Sequence, residues 1–497
     1  MNSIGTRSPS VLFDLPPSGS RLLGEEFAPP RAVYLSHIPA LLLLTGLITW
    51  IAGNDTAMVL AAAVGAAVAL YMLWDWLLRE GPTRFSTLLA MALLLGYGLG
   101  AVNTWLTLPR GGLSIAQYLG GDEGILARGM AAVLFASALL CFIGELYERP
   151  LFGQKFRIPL DQRTYLFIFS GTVAVVVGFF THMIGFMGIV QGSAGEQQNP
   201  VSALISGMFP PLTALTIAVF LAVRERFVKL SIGACALVLR VLLMLTGRRS
   251  LIYTAMLVLF TLRLTGYRLK GTSLKKILLL AGLGSFLAVG VTVFMLLRLA
   301  GWQSHTTNTT LINRIQIAMS WVEDGSALDR ATEANQANAQ KRTFVLGFFA
   351  DVLEGSTGHT PALGKDLAGY TSLAIPRVFN PDKDVYFTEE ALVDSQFALT
   401  YGDSANSILT NGATDFGILG VLGYPLLLVL MYRFCMNVVS RFLPPLAVSF
   451  IALALLLSLL QTENHIAAYL DTIRSVIIFA FIFFMFSRLP AFRLQNR

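Results

Sequence analysis

The sequence predicts an all-α polytopic membrane protein of about twelve spanning helices, and three observations carry that prediction. The 497-residue chain is 55% hydrophobic and 13% charged, with a mean hydropathy of +0.66, where a soluble domain carries about a quarter charged residues. Apolar runs recur along it at about the 20 residues that one bilayer crossing requires. The runs are continuous and do not alternate with period two, so their backbone hydrogen bonds must close within helices and not around a barrel.

Residues 1–34 are polar and rich in Pro, Gly and Ser. They read as a flexible cytoplasmic tail without a cleavable signal peptide. Spans are then expected at about 35–53, 56–78, 86–108, 127–147, 164–190, 201–223, 227–246, 250–267 and 276–300. A hydrophilic loop of roughly 110 residues follows, Gly301–Asn411. Three more spans close the chain at about 412–434, 443–461 and 469–487, before a short tail, 488–497.

Lysine and arginine orient these spans. Arg79 and Arg84 follow the second; Arg149, Lys155, Arg157 and Arg163 the fourth; Arg224, Arg226 and Lys229 the sixth; Arg268, Lys270, Lys275 and Lys276 the eighth. Arg433 and Arg441 lie between the tenth and eleventh, and Arg488, Arg493 and Arg497 end the chain. The alternate loops 53–56 and 191–200 carry no positive charge. The positive-inside rule therefore expects both termini in the cytoplasm and the long loop outside. That loop holds 13 acidic and 7 basic residues. The net charge of +7 and pI near 9.3 thus reflect topology and not nucleic-acid binding. Cys141, Cys235 and Cys435 all fall in or beside apolar runs, so no disulfide framework is expected.

One short loop departs from the charge rule. Spans seven and eight join through Gly247-Arg248-Arg249-Ser250, expected outside. Arg240 lies within span seven, where an arginine costs about 2.5–3.5 kcal/mol on insertion scales. Counted along one helix, Arg240 and Arg248 share a broad face and would form a positive ladder from the outer surface inward. Either the arginines snorkel to lipid phosphates, or they form an anion site at the membrane surface.

The long loop has internal pattern. Leu311–Val322 repeats its apolar residues at helical spacing, suited to a bilayer surface or to packing within the loop. Thr343–Leu353 is apolar but too short to span, as in a re-entrant or interfacial segment. Pro376 and Pro381 set an extended path around Arg377. Asn406–Gly420 leads into span ten, with Gly412, Gly417 and Gly420 allowing close backbone approach. Arg298 at the end of span nine, and Glu463, His465 and Arg474 around the turn between spans eleven and twelve, complete the outer-face candidates. A histidine beside a carboxylate suits acid–base work as well as it suits a polar anchor.

The chain has no P-loop, no dinucleotide fingerprint and no zinc motif. Asp382-Lys383-Asp384 is a formal DxD triplet, but no metal and no cofactor are expected. A membrane enzyme without a nucleotide site needs a substrate that carries its own leaving group. Polyprenyl diphosphate-linked sugars meet that need, and arginine forks suit their diphosphates.

In its span layout, its late loop, Arg248–Arg249, the segment Ile375–Lys383 and Thr414–Gly420, the sequence resembles bacterial O-antigen or oligosaccharide repeat-unit polymerases of the Wzy type. Arg314 and Gly325 have the Arg-x10-Gly spacing described for that family, and no second copy starts at Arg248, Arg249 or Arg377. The resemblance implies a GT-C-like fold in the bacterial inner membrane. It also implies glycosyl transfer from one undecaprenyl diphosphate-linked glycan to a lipid-linked repeat unit, with a chain-length regulator as a further partner. It makes Arg248, Arg249, Arg377 and His465 the catalytic candidates. Arg240, Arg298, Arg314, Arg474, Glu463 and Asp403 are the substrate-binding ones. The base remains open among His465, Glu463, Asp403 and Asp394. Alternatives are an O-antigen ligase, which shares the fold and the arginine logic, and a lipid-linked oligosaccharide flippase or other transporter.

Overall fold

The computed structural model describes residues 37–78, 83–107, 122–151, 157–181, 183–184, 200–265, 273–303, 311–333, 344–358, 361–375, 380 and 406–488. Among them there are helices and no strands. The helices are α1 His37–Ala52, α2 Asp55–Leu78, α3 Phe85–Leu93, α4 Gly100–Thr107, α5 Glu123–Tyr147, α6 Gln162–Phe180, α7 Pro200–Ala222 and α8 Arg226–Thr246. They continue as α9 Arg248–Leu264, α10 Ser273–Gln303, α11 Leu311–Glu323, α12 Phe344–Gly358, α13 Lys365–Ala374, α14 Ile408–Phe442, α15 Pro445–Leu459 and α16 Ile466–Arg488.

Nine stretches among the described residues are long and apolar enough to cross a membrane: α2, α3 through α4, α5, α6, α7, α8, α10, α14 and α16. Three of the expected spans are shorter apolar helices, His37–Ala52, Ser250–Leu262 and Pro445–Leu459. The protein is therefore a polytopic helical membrane protein. Leu41, Leu44, Leu47 and Ile51 on α1 are exposed, as lipid-facing residues are, and the burial in α3, α5 and α15 marks the centre of the bundle.

The connections collect at two ends. At one, Leu151 N–H donates to Thr83 O (2.8 Å), Ile158 N–H to Leu264 O (2.9 Å) and Arg433 Nη1 to Tyr147 O (2.6 Å). There Glu148 caps α3 from outside that helix. Its carboxylate accepts from Phe85 N–H (2.7 Å), Ser86 N–H (3.0 Å) and Ser86 Oγ (2.6 Å), meeting donors that a helix start leaves open. The other end carries Gly53, Gly247, the 461–465 turn and helices α11 to α13. There Arg128 of α5 bridges Glu354 of α12 at 2.9 Å.

Parts of the expected loop lie inside the bundle. In α12, Val345 to Ala350 are buried, with Ala350 against Gly129 and Phe349 edge-on to Tyr97 at 5.7 Å. From Phe344 on, the Thr343–Leu353 segment is thus packed against protein helices, and α12 runs on to Gly358. Span ten also differs from its expected start at 412. α14 begins at Ile408 and breaks at Phe416 and Gly417, whose φ of +58° is a conformation that favours glycine. Residues 408–415 fold back on the rest of α14: a Cβ on Gly412 would lie 2.3 Å from Gly420 O. Backbone meets backbone there, and no larger residue fits.

The first half of α14 starts deep. Its N-cap Ser407 is fully buried, accepts from Leu409 N–H (3.1 Å) and pairs with Tyr97 Oη at 2.6 Å. Tyr97 lies in a π-helical turn, Leu94–Leu99, between α3 and α4. Thr462 Oγ1 donates to Ala92 O (2.8 Å) at the approach to that turn. Extra residues in a helix re-aim side chains, and here they turn Tyr97 toward the re-entrant segment.

The helical count behind the positive ladder crosses a break in the chain. Gly247, at φ 151° and ψ 152°, separates α8 from α9, so Arg240 and Arg248 stand on different helices and the single-helix count does not apply. Arg240 instead lays its guanidinium 4.6 Å from the Phe286 ring centroid of α10, with no hydrogen-bond partner on Nε.

Candidate functional site

A cavity of about 330 Å³ opens between α7, α15, α16 and the first turn of α9, at the end of the bundle that bears the loop helices. Away from the turn its lining is mostly apolar, with Met208 and Pro210 from α7, Phe450, Ile451 and Leu457 from α15, and Val476 and Phe479 from α16, among which Ser458, Thr472 and Ser475 also lie. Its rim is polar: Ser206, Ser250, Gln461, Asn464, Asp471 and Arg474. Helix direction explains the split, because α15 ends and α16 begins at this rim. A cavity with a polar mouth and a mostly apolar lining beyond it accepts an amphipathic molecule head outward.

Arg474 is the basic residue of the lining. Its Nη1 donates to Ala374 O (3.1 Å), at the C-terminus of α13, and stands 3.1 Å from Asp471 Oδ1. Both contacts use one nitrogen, so the rest of the fork is available to a further acceptor. Ser250 on the rim follows Arg248–Arg249 directly, which places the start of α9 beside the cavity. The side chains of Arg248 and Arg249 are outside the described ones.

Beside the cavity, α13 is seated on a polar face. Asp415, at the end of the re-entrant half-helix, accepts from Asp366 N–H through Oδ1 (3.0 Å) and from Leu367 N–H through Oδ2 (3.0 Å). Tyr424 Oη donates to the same Oδ2. Ala362 N–H and Leu363 N–H bond Thr414 O (3.1 Å) and Asp415 O (2.9 Å). The hinge of α14 thus holds the start of α13 by four backbone donors.

Asp366 points the other way in chemistry. It is 2% exposed, and neither carboxylate oxygen has a hydrogen-bond partner of good geometry. Burial, and then the neighbouring Asp415 charge, push its pKa up to about 7, against a smaller pull from Asn411. One turn on, Tyr370 lies 6.0 Å from the His465 ring. Burial pushes His465 down to about 4, so it is neutral at pH 7. Asn411 Oδ1 accepts from Ile466 N–H (2.9 Å), tying the half-helix to the same turn.

Of the sequence candidates, Arg474 lines the cavity, Glu463 and His465 lie in the turn that contributes Gln461 and Asn464 to its rim, and the start of α9 stands beside it. The structure sets the others apart. Arg314 is 4% exposed, its guanidinium packed on Gly301 of α10, and burial lowers its pKa. Arg298 is partly buried on α10. Neither they nor Arg240 line the cavity. Arg377, Asp394, Asp403 and the Asp382–Asp384 triplet lie outside the described residues. No group of three or more metal-ligating side chains occurs among the described residues. Sequence reasoning missed Asp366, Asn411 and Asp415 as a group. Their one sequence signal was an acid, Asp415, inside the glycine-rich approach to an apolar run. No family model, no curated protein and no solved structure matches the chain.

Proposed function

We propose that the protein is a polysaccharide polymerase, a glycosyltransferase of the bacterial inner membrane. In this reading it moves a growing glycan from undecaprenyl diphosphate onto a lipid-linked repeat unit at the periplasmic face. Twelve spans, both termini in the cytoplasm and a GT-C-like arrangement belong to the same reading. The observation that carries it is the cavity: a mostly apolar lining for a prenyl chain, and at its mouth Arg474 and the first turn of α9 behind Arg248–Arg249. Arginine forks at a membrane surface suit a diphosphate leaving group, whose developing charge they stabilise as the glycosidic bond forms. The acceptor hydroxyl's proton passes to one of His465, Glu463, Asp403 and Asp394, either directly or through water.

Purified protein supplied with lipid-linked repeats and no nucleotide tests the reading. Glycan ladders support it; unchanged substrate overturns it. Transfer to a lipid A core acceptor in place of a second repeat would instead identify a ligase, and movement of intact lipid-linked sugar across vesicles a flippase. Arg248→Ala and Arg249→Ala are each expected to abolish extension at unchanged membrane levels, with lysine a partial rescue because it loses the planar fork.

A further inference from the structure

The face by which α13 docks is polar and buries two titratable side chains. Asp366 and Tyr370, four residues apart on one side of α13, are 2% and 5% exposed. They meet Asp415, Asn411 and Tyr424 of α14 and the turn before α16, which holds His465 and Glu463. The far end of α13 is held by Arg474, beside Asp471; on α13 itself Lys365 is exposed. One helix start therefore faces two carboxylates, Asp415 and Asp366, and supplies donors to only one. Asp415 takes two backbone N–H groups and a phenol. Asp366 takes neither backbone group and is 2% exposed. A negative charge there meets that of Asp415, against the smaller pull of Asn411. His465 is half-buried and packed toward Tyr370, and burial disfavours its positive form.

We propose that α13 is a strap released by charge from either side: ionisation of Asp366 and protonation of His465 each undock it from the α14 hinge, and the two compensate. The strap ends on Arg474, so its docking sets the mouth of the cavity. That consequence for activity rests on the glycosyltransferase reading; the docking itself does not.

The signs follow from proton linkage. Asp366 is raised from an ordinary 3.8 to about 7 when docked. Undocking through Asp366 alone thus grows about tenfold per pH unit from about 4 to about 7 and then levels. His465 is lowered from 6.5 to about 4. Its contribution falls about tenfold per unit as pH rises from about 4 to about 6.5. Over pH 5 to 7.5 the two act in opposite directions, so the whole protein changes less than it would through either group alone.

Amide hydrogen exchange across 366–374 reads the docking equilibrium in the full-length protein in lipid nanodiscs, each rate divided by its intrinsic value at that pH. Wild type is expected to vary less between pH 5 and 7.5 than either single variant. Asp366→Asn leaves His465 alone and should lose roughly 30-fold protection toward pH 5. His465→Gln leaves Asp366 alone and should lose roughly 70-fold toward pH 7.5. Asp366→Ser and His465→Asn serve if either protein fails to fold. Profiles in both variants that superpose on wild type, or slopes of the opposite sign, overturn the strap. Because no substrate is present, that result is independent of whether glycan ladders form.

Discussion

Asp415 shows how much one side chain can organise. Both its oxygens accept bonds, from the backbone of α13 and from Tyr424, across an interface between two elements. An asparagine there must turn its amide N–H₂ toward a donor. We expect Asp415→Asn to leave at least one buried N–H unserved, at about 1–3 kcal/mol. Thermal unfolding in detergent followed by fluorescence should fall by several degrees, and an unchanged midpoint would remove Asp415 from this role. Arg474 tests differently. Arg474→Ala should reduce binding of a polyprenyl diphosphate probe at least tenfold, while Arg474→Lys recovers part of it. Equal binding by all three proteins would sink the cavity as an anion site. At this scale the sequence was only partly readable. Arg474, Glu463 and His465 stood out because charge beside an apolar run is costly. Asp366 did not, because a lysine–aspartate pair in a hydrophilic loop reads as solvated surface, and its burial depends on a hinge 49 residues away.

Among the elements, the spans were legible because lipid imposes a long apolar run on any helix that crosses it. The break in α14 was less so. Gly412, Gly417 and Gly420 signalled close approach, yet the same residues suit ordinary helix packing. Only the φ of +58° at Gly417 and the Gly412–Gly420 contact distinguish a fold-back from a straight span. Gly420→Ala would place a Cβ 1.9 Å from Gly412 O, a clash with backbone and not with a movable side chain. We expect little folded protein by size-exclusion chromatography. Gly423→Ala, which meets nothing within 4 Å, should behave as wild type. A fully folded Gly420→Ala protein would contradict the fold-back. The shared helical face counted for Arg240 and Arg248 does not hold for a related reason: the count ran across Gly247, where the chain turns.

For the whole molecule, the charge pattern and the contacts can be set against each other. The end that gathers Arg433, Glu148 and the start of α3 is the one rich in loop arginines, whereas the other end carries α11 to α13. If the positive-inside rule governs this chain, Asn54→Cys and Asp324→Cys will react with an impermeant maleimide from the periplasm. Lys229→Cys and Arg441→Cys will react only after the inner membrane is opened. The reverse labelling pattern would invert the proposed topology and move the cavity mouth to the cytoplasm.

The bond between Tyr97 and Ser407 joins residues 310 positions apart, in the interior of the bundle. Synthesis delivers α3 long before the half-helix that completes it. Until residues 408–415 arrive, the Tyr97 hydroxyl and the seat beneath it have no native neighbour from that segment. The early helices therefore insert as an unfinished shell, and the last quarter of the chain supplies its plug.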